Sequence, residues 1–382
     1  MKIALPDQTG RKTDYVLSGT PLPLTSLSSH PSRIIYSAAH VVADPFSATD
    51  PSGHAAIDWN KTLEFRRYLA GLGMGIAEAM DTAQRGMGLN WSRSLELIRL
   101  TKAELPDARI GNGCGTDQLD LRDVSTIDQV IDAYLEQVEA IQAVGGRIIL
   151  MASRALVSVA KTDADYRRVY NIVLSACDQP VILHWLGEMF DPALAGYWGT
   201  RDFDAALETV LAIIDENKSR VEGIKISLLD KEKEIVMRRR LPEGVLMYTG
   251  DDFNYPELIQ GDDYGFSHAL LGIFDPLAAA ATHAINRLDA GDICGFRTIL
   301  DPTVPLARLI FRAPTQYYKT GVVFLAWLNG FQDHFIMLNG AQALRPLPYF
   351  TEIFRLADGC GLLRDPELAV RRMQSLLALY GA

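Results

Sequence analysis

Short apolar runs alternate along this chain with longer segments whose apolar residues recur at helical spacing. That alternation predicts βα units and a parallel sheet. Eight runs read as strands: "RIIYSAAHV" (33–41), "MGIAEAM" (74–80), "ARIGNG" (108–113), "GRIILMA" (146–152), "PVILHW" (180–185), "VEGIKI" (221–226), "GVLMYTG" (244–250) and "GFSHALLG" (265–272). Between them lie amphipathic stretches such as "STIDQVIDAYLEQVEAIQAVG", where Ile127, Val130, Ile131, Tyr134, Leu135 and Val138 share one helical face. Ser125 is the expected N-cap and Gly145 the expected stop. Eight such units predict an α/β fold of the (β/α)8 TIM barrel type rather than an open doubly wound sheet. "RIGNGCG" holds too few positions of a dinucleotide-binding fingerprint and reads as a tight strand-to-loop turn.

After residue 290 the pattern turns purely helical, in "DICGFRTILDPTVPLARLIF", "TQYYKTGVVFLAWLNG", "PLPYFTEIFRLADGCGLL" and "PELAVRRMQSLLALYG". The expected organisation is an N-terminal extension over 1–32, a barrel over 33–290 and a C-terminal helical region over 291–382 packed on it. The segment "TGVVFLAWLNGF" is more apolar than one barrel-flanking helix requires, which predicts a buried partner face or a packed helical layer.

Composition narrows the classes. Of 382 residues, 48% are hydrophobic and 22% charged, as in a folded protein with ample core material, and no run is long and apolar enough to suggest a membrane span. The start, "MKIALPDQTGRKTDY", lacks the apolar run of a signal peptide. Cys114, Cys177, Cys294 and Cys360 are scattered without ligand or disulfide spacing. A cytoplasmic protein with reduced thiols is expected. With 37 basic against 47 acidic residues the net charge is −10, which opposes nucleic-acid binding, and the basic run "MRRRL" reads as a solvated helix end.

One residue breaks the apolar pattern in a way that suggests chemistry. In "VEGIKIS", Gly223 and Lys225 share one face of the strand while Ile224 and Ile226 share the other. If the isoleucines meet the surrounding helices, Lys225 points into the barrel at the carboxyl end of the sixth strand, where barrel enzymes place catalytic groups. Desolvation disfavours the ammonium there and raises the fraction of free amine able to attack a carbonyl. Taken alone, the lysine reads first as one that pairs with an acid such as Asp251 or curls out to solvent, ahead of a catalytic role.

Neighbouring segments change that balance. "GIKIS" is similar to the Schiff-base lysine strand of the dihydrodipicolinate synthase and N-acetylneuraminate lyase superfamily of class I aldolases. "YTGDDFNYPELIQGDDYGFSHALLGIFDP" resembles the segment that follows it, "QPVILHWLGEMF" the strand before it, and "DPFSATDPSGHAAIDWNKTLEFRRYLAGLGM" the opening strand, loop and first helix. The resemblance covers roughly residues 34–330 and marks a diverged branch of unknown function. It implies a lyase, an aldolase or dehydratase, acting through Lys225 on a 2-keto acid or keto-sugar-type molecule, with no cofactor and a homodimeric or homotetrameric assembly. The chain departs from the family pattern twice. His184, followed by Trp185, stands where the fifth strand usually offers a proton-relaying tyrosine, and "MDTAQRG" replaces the usual carboxylate-binding loop.

His184 is therefore the candidate acid and base, against the alternative of a packed histidine bonded to a backbone carbonyl. Asp81 and Thr82 from the second-strand loop, Gly250, Asp251 and Asp252 from the seventh, and His268 on the eighth are the candidate substrate-binding residues. One of the two aspartates can instead be a helix cap, and His268 a core residue. Arg85 is expected to be exposed. The runner-up chemistry is a metal-dependent sugar isomerase or aldolase drawing on His40, Glu78, Asp81, His184, Asp251 and His268; no HxH or HxxE pair occurs among them. A barrel that binds a sugar acid without turnover is the third reading. No nucleic-acid or membrane partner is expected.

Overall fold

All eight apolar runs become strands, and they close on one another. The structure, a computed structural model, describes residues 1–50 and 55–382. Residues 51–54, part of the loop compared with the opening of the superfamily, lie outside the described residues.

An antiparallel hairpin, β1 (Lys2–Pro6) and β2 (Lys12–Val16), comes first. Eight parallel strands follow: β3 (Ile35–Ala38), β4 (Gly75–Glu78), β5 (Ile110–Cys114), β6 (Arg147–Leu150), β7 (Val181–Leu186), β8 (Val221–Ser227), β9 (Leu246–Thr249) and β10 (His268–Leu271). They stand in chain order around a closed barrel, with β10 paired to both β9 and β3. Parallel neighbours need a crossover. The helices that supply it are α1 (Trp59–Gly71), α2 (Trp91–Glu104), α3 (Ile127–Ala143), α4 (Arg154–Val159), α5 (Asp163–Ser175), α6 (Phe203–Glu216), α7 (Lys231–Arg238) and α8 (Tyr255–Gln260), and α9 (Ala278–Asp289) follows the last strand.

Local chemistry sets the helix ends. Asp58, Asn90, Asp202 and Asp230 each accept a backbone N–H from the first turn of α1, α2, α6 and α7. The cap of α3 is Thr126, one residue beyond the expected Ser125, because Thr126 and Gln129 form a reciprocal capping box. Gly145, at φ +71°, turns the chain after α3 as expected.

Among the described residues, two main apolar cores result, beside a small cluster of Val323, Met337 and Ala341. The larger lies between strands and helices. The smaller, with Tyr36, Ile149, Ile182, Tyr248 and Leu270, fills the barrel itself. Beyond the barrel run α10 (Ile293–Leu300), α11 (Val304–Ile310), α12 (Tyr318–Leu328), α13 (Leu347–Gly359) and α14 (Pro366–Leu379). Every residue of α12 is buried, and α11, α13 and α14 pack around it. Its apolar excess thus serves a helical layer within the chain. The hairpin joins this layer: Ile3 and Leu5 are buried, and Tyr15 donates to Asp358 at 2.8 Å. Among the described residues, no helix is long and apolar enough to cross a membrane.

Buried charge is paired at the carboxyl ends of the first strands. Arg66 of α1 and Glu78 of β4, both fully buried, form a two-pronged pair at 2.9 and 2.8 Å. Thr101 donates to the same carboxylate at 2.7 Å, and Arg66 also reaches the His40 carbonyl. Removing one partner strands the other in a dry site. We expect Arg66→Met to cost ~3–5 kcal/mol in urea unfolding and the double variant Arg66→Met/Glu78→Leu to recover most of that loss.

Glu234 of α7 is buried differently, with Thr249 and Ser267 hydroxyls donating to it at 2.8 and 2.6 Å. Burial, against the pull of those hydroxyls, raises its pKa from 4.5 to about 8. The native carboxyl thus holds a proton that the unfolded chain releases near 4.5, so this group's stabilisation is lost as pH rises from 4.5 through 8. Glu234→Gln should remove that fall, and the stability gap between variant and wild type, read from denaturant midpoints, should widen in the variant's favour across the window.

Candidate active site

Lys225 reaches the barrel interior as strand alternation requires. Ile224 and Ile226 lie in the outer core against the helices, and Lys225, 7% exposed, turns inward. β7 pairs with β8 so that His184 stands beside Lys225. A side chain of that length needs space on the neighbouring strand. Gly250 supplies it: a Cβ there would lie 2.8 Å from Lys225 Cε and 2.1 Å from Ser227 Oγ. Gly250 thus shapes the lysine's path and does not line the cavity in front of it.

That cavity, at the carboxyl mouth of the barrel, is small, ≈ 20 Å³. Its polar wall consists of Lys225, Asp81, Thr82, Ser227, Asp252 and Tyr318, and Leu186, Phe190 and Phe311 are among its apolar residues. Burial pushes the Lys225 pKa below 10.5, opposed by the charges of Asp81 and Asp252. Burial also pushes Asp252 up to about 7, although it accepts the Ile273 N–H at 2.9 Å and faces Lys225. Each shift favours the neutral form.

His184 is 1% exposed, with Nε2 3.3 Å from Ser227 Oγ and Nδ1 without a partner. Burial and then the Lys225 charge hold it well below 6.5. It lines a second, more open chamber of ≈ 250 Å³, and Asp81 and Leu186 belong to the walls of both spaces.

Thr82 hydrogen-bonds Tyr318 between hydroxyls 2.8 Å apart. Tyr318 was not among the residues the sequence suggested. It comes from the first turn of α12, stacked on Phe311 at 4.3 Å between centroids, and burial followed by the Asp81 charge raises its pKa well above 10. No local motif marks it, since a tyrosine at the start of an apolar helix looks like ordinary packing.

The structure therefore brings Lys225, Asp81, Thr82 and Asp252 around one cavity, with His184 adjoining. Three expectations change. Asp251 accepts the N–H groups of Phe253 and Asn254 and the Asn254 side-chain amide, so it shapes the turn into α8 and does not face the cavity. His268 is the first residue of β10, far down the strand from the carboxyl mouth. Its Nδ1 accepts the Ile34 N–H at 2.9 Å, its ring lies against Tyr248 and Phe266, and burial lowers its pKa to about 4. Arg85 is buried at 5% exposure, bonded to Asp117 and Gln137, because those acceptors and the Ala79 carbonyl meet all sides of its guanidinium.

The residues weighed as metal ligands also have other partners. Glu78 is bound to Arg66, His40 Nδ1 lies 2.8 Å from Asp275, and no three His, Cys, Asp or Glu residues gather for an ion among the described residues.

Comparison with solved structures supports the same architecture. The chain resembles a dihydrodipicolinate synthase from Thermotoga maritima (TM-score 0.65, 14% identity, covering 87% of this chain and 100% of that one). It also resembles a putative dihydrodipicolinate synthetase from Pseudomonas aeruginosa (0.61, 16%, 84% and 99%). A third similar structure is the chloride-inhibited dihydrodipicolinate synthase from Acinetobacter baumannii complexed with pyruvate (0.62, 16%, 86% and 99%). At these identities the likeness is one of fold. No curated protein matches the sequence. Residues 3–382 match the family described as "Protein of unknown function (DUF993)", and the chain, a barrel of the dihydrodipicolinate synthase type, belongs to that family.

Proposed function

We propose that the protein is a lyase that cleaves a carbon–carbon or carbon–oxygen bond beside a carbonyl carbon held as an imine on Lys225. The observation that carries this reading is a buried amine facing a small cavity at the barrel mouth, with burial acting against its charged form.

Asp252 takes a proton from the Lys225 ammonium. The free amine attacks the carbonyl carbon, the displaced π electrons move to oxygen, and a proton passes from the now positively charged nitrogen to that oxygen. A second proton, returned by Asp252, releases the oxygen as water while the freed nitrogen lone pair forms the protonated imine. In aldol cleavage, a base removes the β-hydroxyl proton, the carbon–carbon pair flows to the iminium nitrogen, and an aldehyde or ketone departs from an enamine. In dehydration, a proton leaves the α-carbon and the β-hydroxyl departs as water. Protonation of the enamine at carbon and attack of water on the imine return the free lysine.

Proton movement within the cavity falls to the Tyr318–Thr82 pair and Asp252 in this reading. Tyr318 keeps its proton at neutral pH and so can donate, while Asp252, near 7, can accept or donate. His184, expected from sequence to carry protons, is an unprotonated imidazole at neutral pH and cannot begin a cycle as the acid. Its open Nδ1 is suited to hydrogen-bonding the substrate.

Incubation with small ketones and aldehydes followed by borohydride should add the mass of a reduced adduct to the Lys225 peptide, and Lys225→Arg should abolish it. If no carbonyl compound leaves an adduct, the imine reading is wrong and a binding-only barrel takes its place. Tyr318→Phe should retain the adduct while turnover falls ~10²–10⁴-fold, and His184→Phe should raise KM more than it lowers kcat. Adduct formation should accelerate with pH and level off below the 10.5 of an ordinary lysine. Because the Asp252 charge raises the Lys225 pKa, Asp252→Asn should move that midpoint to lower pH.

A further inference from the structure

The imine cycle needs a group that moves the hydrogen on the carbon beside the imine, and the loop after β4 carries a carboxylate suited to it. β4 ends at Glu78, and the chain then bends sharply over the barrel mouth. Ala79 takes φ +53° and Gln84 φ +64°, left-handed values that residues with a Cβ adopt at a cost. Such a bend persists only where its surroundings hold it. Glu78 accepts the Ala79 N–H at 2.9 Å, and Arg85 donates to the Ala79 carbonyl at 3.2 Å. Thr82 bonds Tyr318, and the Gln84 side chain accepts from and donates to the Leu338 backbone at 3.1 and 3.0 Å.

Inside this clamped turn the Asp81 carboxylate is unengaged. Asp252 accepts the Ile273 N–H, and in the adjoining chamber Asp117 and Asp191 are paired with Arg85 and Arg154. Asp81 is half-buried, and among the described residues no hydrogen bond or ion pair reaches its side chain. Its position matches the reaction. The space of ≈ 20 Å³ at Lys225 has room for about one water-sized group beside the amine. The rest of a substrate has to extend into the chamber of ≈ 250 Å³, and Asp81 and Leu186 line both spaces. The carbon next to the imine therefore falls at the boundary, against Asp81. Its charge raises the pKa of both Lys225 and Tyr318, so it acts on the imine nitrogen's position and on the facing hydroxyl. The other candidates are less suited. Asp252, at about 7, is half protonated near neutral pH, Tyr318 keeps its proton, and His184 lines the chamber rather than the space at Lys225.

We infer that Asp81 is the catalytic base that moves the proton on the carbon adjacent to the Lys225 imine. This rests on the imine reading and deepens it. An Asp81 oxygen takes the proton, the electron pair of that C–H bond forms the carbon–carbon double bond of an enamine, and the C=N π pair becomes the nitrogen lone pair. Iminium and carboxylate become a neutral enamine and a carboxylic acid. After carbon–carbon cleavage the reverse step, from the protonated carboxyl, places hydrogen on the enamine carbon. The clamped turn holds the carboxylate at a fixed distance from that carbon.

The test uses the intact protein with acetone, hydroxyacetone and pyruvate in deuterium oxide, at a pH where adduct formation has levelled off. Deuterium uptake beside the carbonyl is followed by proton NMR, and the Lys225 adduct is measured in parallel by borohydride trapping. Wild type should exchange at least one probe a hundredfold faster than Lys225→Arg. Asp81→Asn and Asp81→Ala lose no protein hydrogen bond, so they should unfold at the wild-type urea midpoint and keep the adduct, while exchange per adduct falls at least a hundredfold. Asp252→Asn should stay within tenfold of wild type. Unchanged exchange per adduct in both Asp81 variants, or a wild-type adduct without exchange, would overturn this inference and leave the imine mechanism standing. Loss of the adduct itself in folded Asp81 variants would move Asp81 into imine formation and overturn it too. No adduct with any probe on wild type would overturn both readings.

Discussion

An ammonium carried into the dry mouth of a closed parallel barrel has to be compensated or discharged, and the arrangement around Lys225 follows from that constraint. Burial depresses the lysine and raises the carboxyl of Asp252, which lines the same cavity. The neighbouring strand gives way at Gly250 to admit the four-carbon stem. His184, next to Lys225 across the β7–β8 pair, stays uncharged for the same reason.

The helical layer after the barrel is part of the site. α12 is buried along its whole length, so its first turn is fixed against the barrel mouth, and Tyr318 is set opposite Lys225 with its hydroxyl on Thr82. Rigid support of this kind is what a proton-moving hydroxyl needs, because transfer depends on donor and acceptor separation. The same packing closes the cavity with Phe311 and Tyr318 stacked face to face. The shape of the cavity and the packing of the C-terminal layer are therefore coupled.

Elsewhere at the same end of the barrel, polar residues that look chemical in the sequence serve structure. Glu78 holds Arg66 and Thr101, Asp251 shapes a turn, and Arg85 is clamped by Asp117, Gln137 and backbone carbonyls. Each is buried and each has its hydrogen bonds met from nearby elements, as buried polar groups require. What distinguishes Lys225 is that its surroundings are a cavity.

The sequence by itself determined the eight strands, their order and the inward turn of Lys225, because a period of two residues is a local property and the isoleucines on either side leave the lysine one direction. It also set most helix ends, through short-range side-chain caps such as Asp58 and Asp202. It could not separate Asp252 from Asp251, since adjacent residues share a composition and only the turn geometry decides which carboxyl caps and which faces the cavity. Nor could it place His268 at the amino end of β10, bury Arg85, or bring Tyr318 across 93 residues to Lys225. Those were decided by the tertiary structure, because they depend on which surfaces meet when the barrel closes and the helical layer docks, and contacts between distant segments leave no periodic trace in the chain.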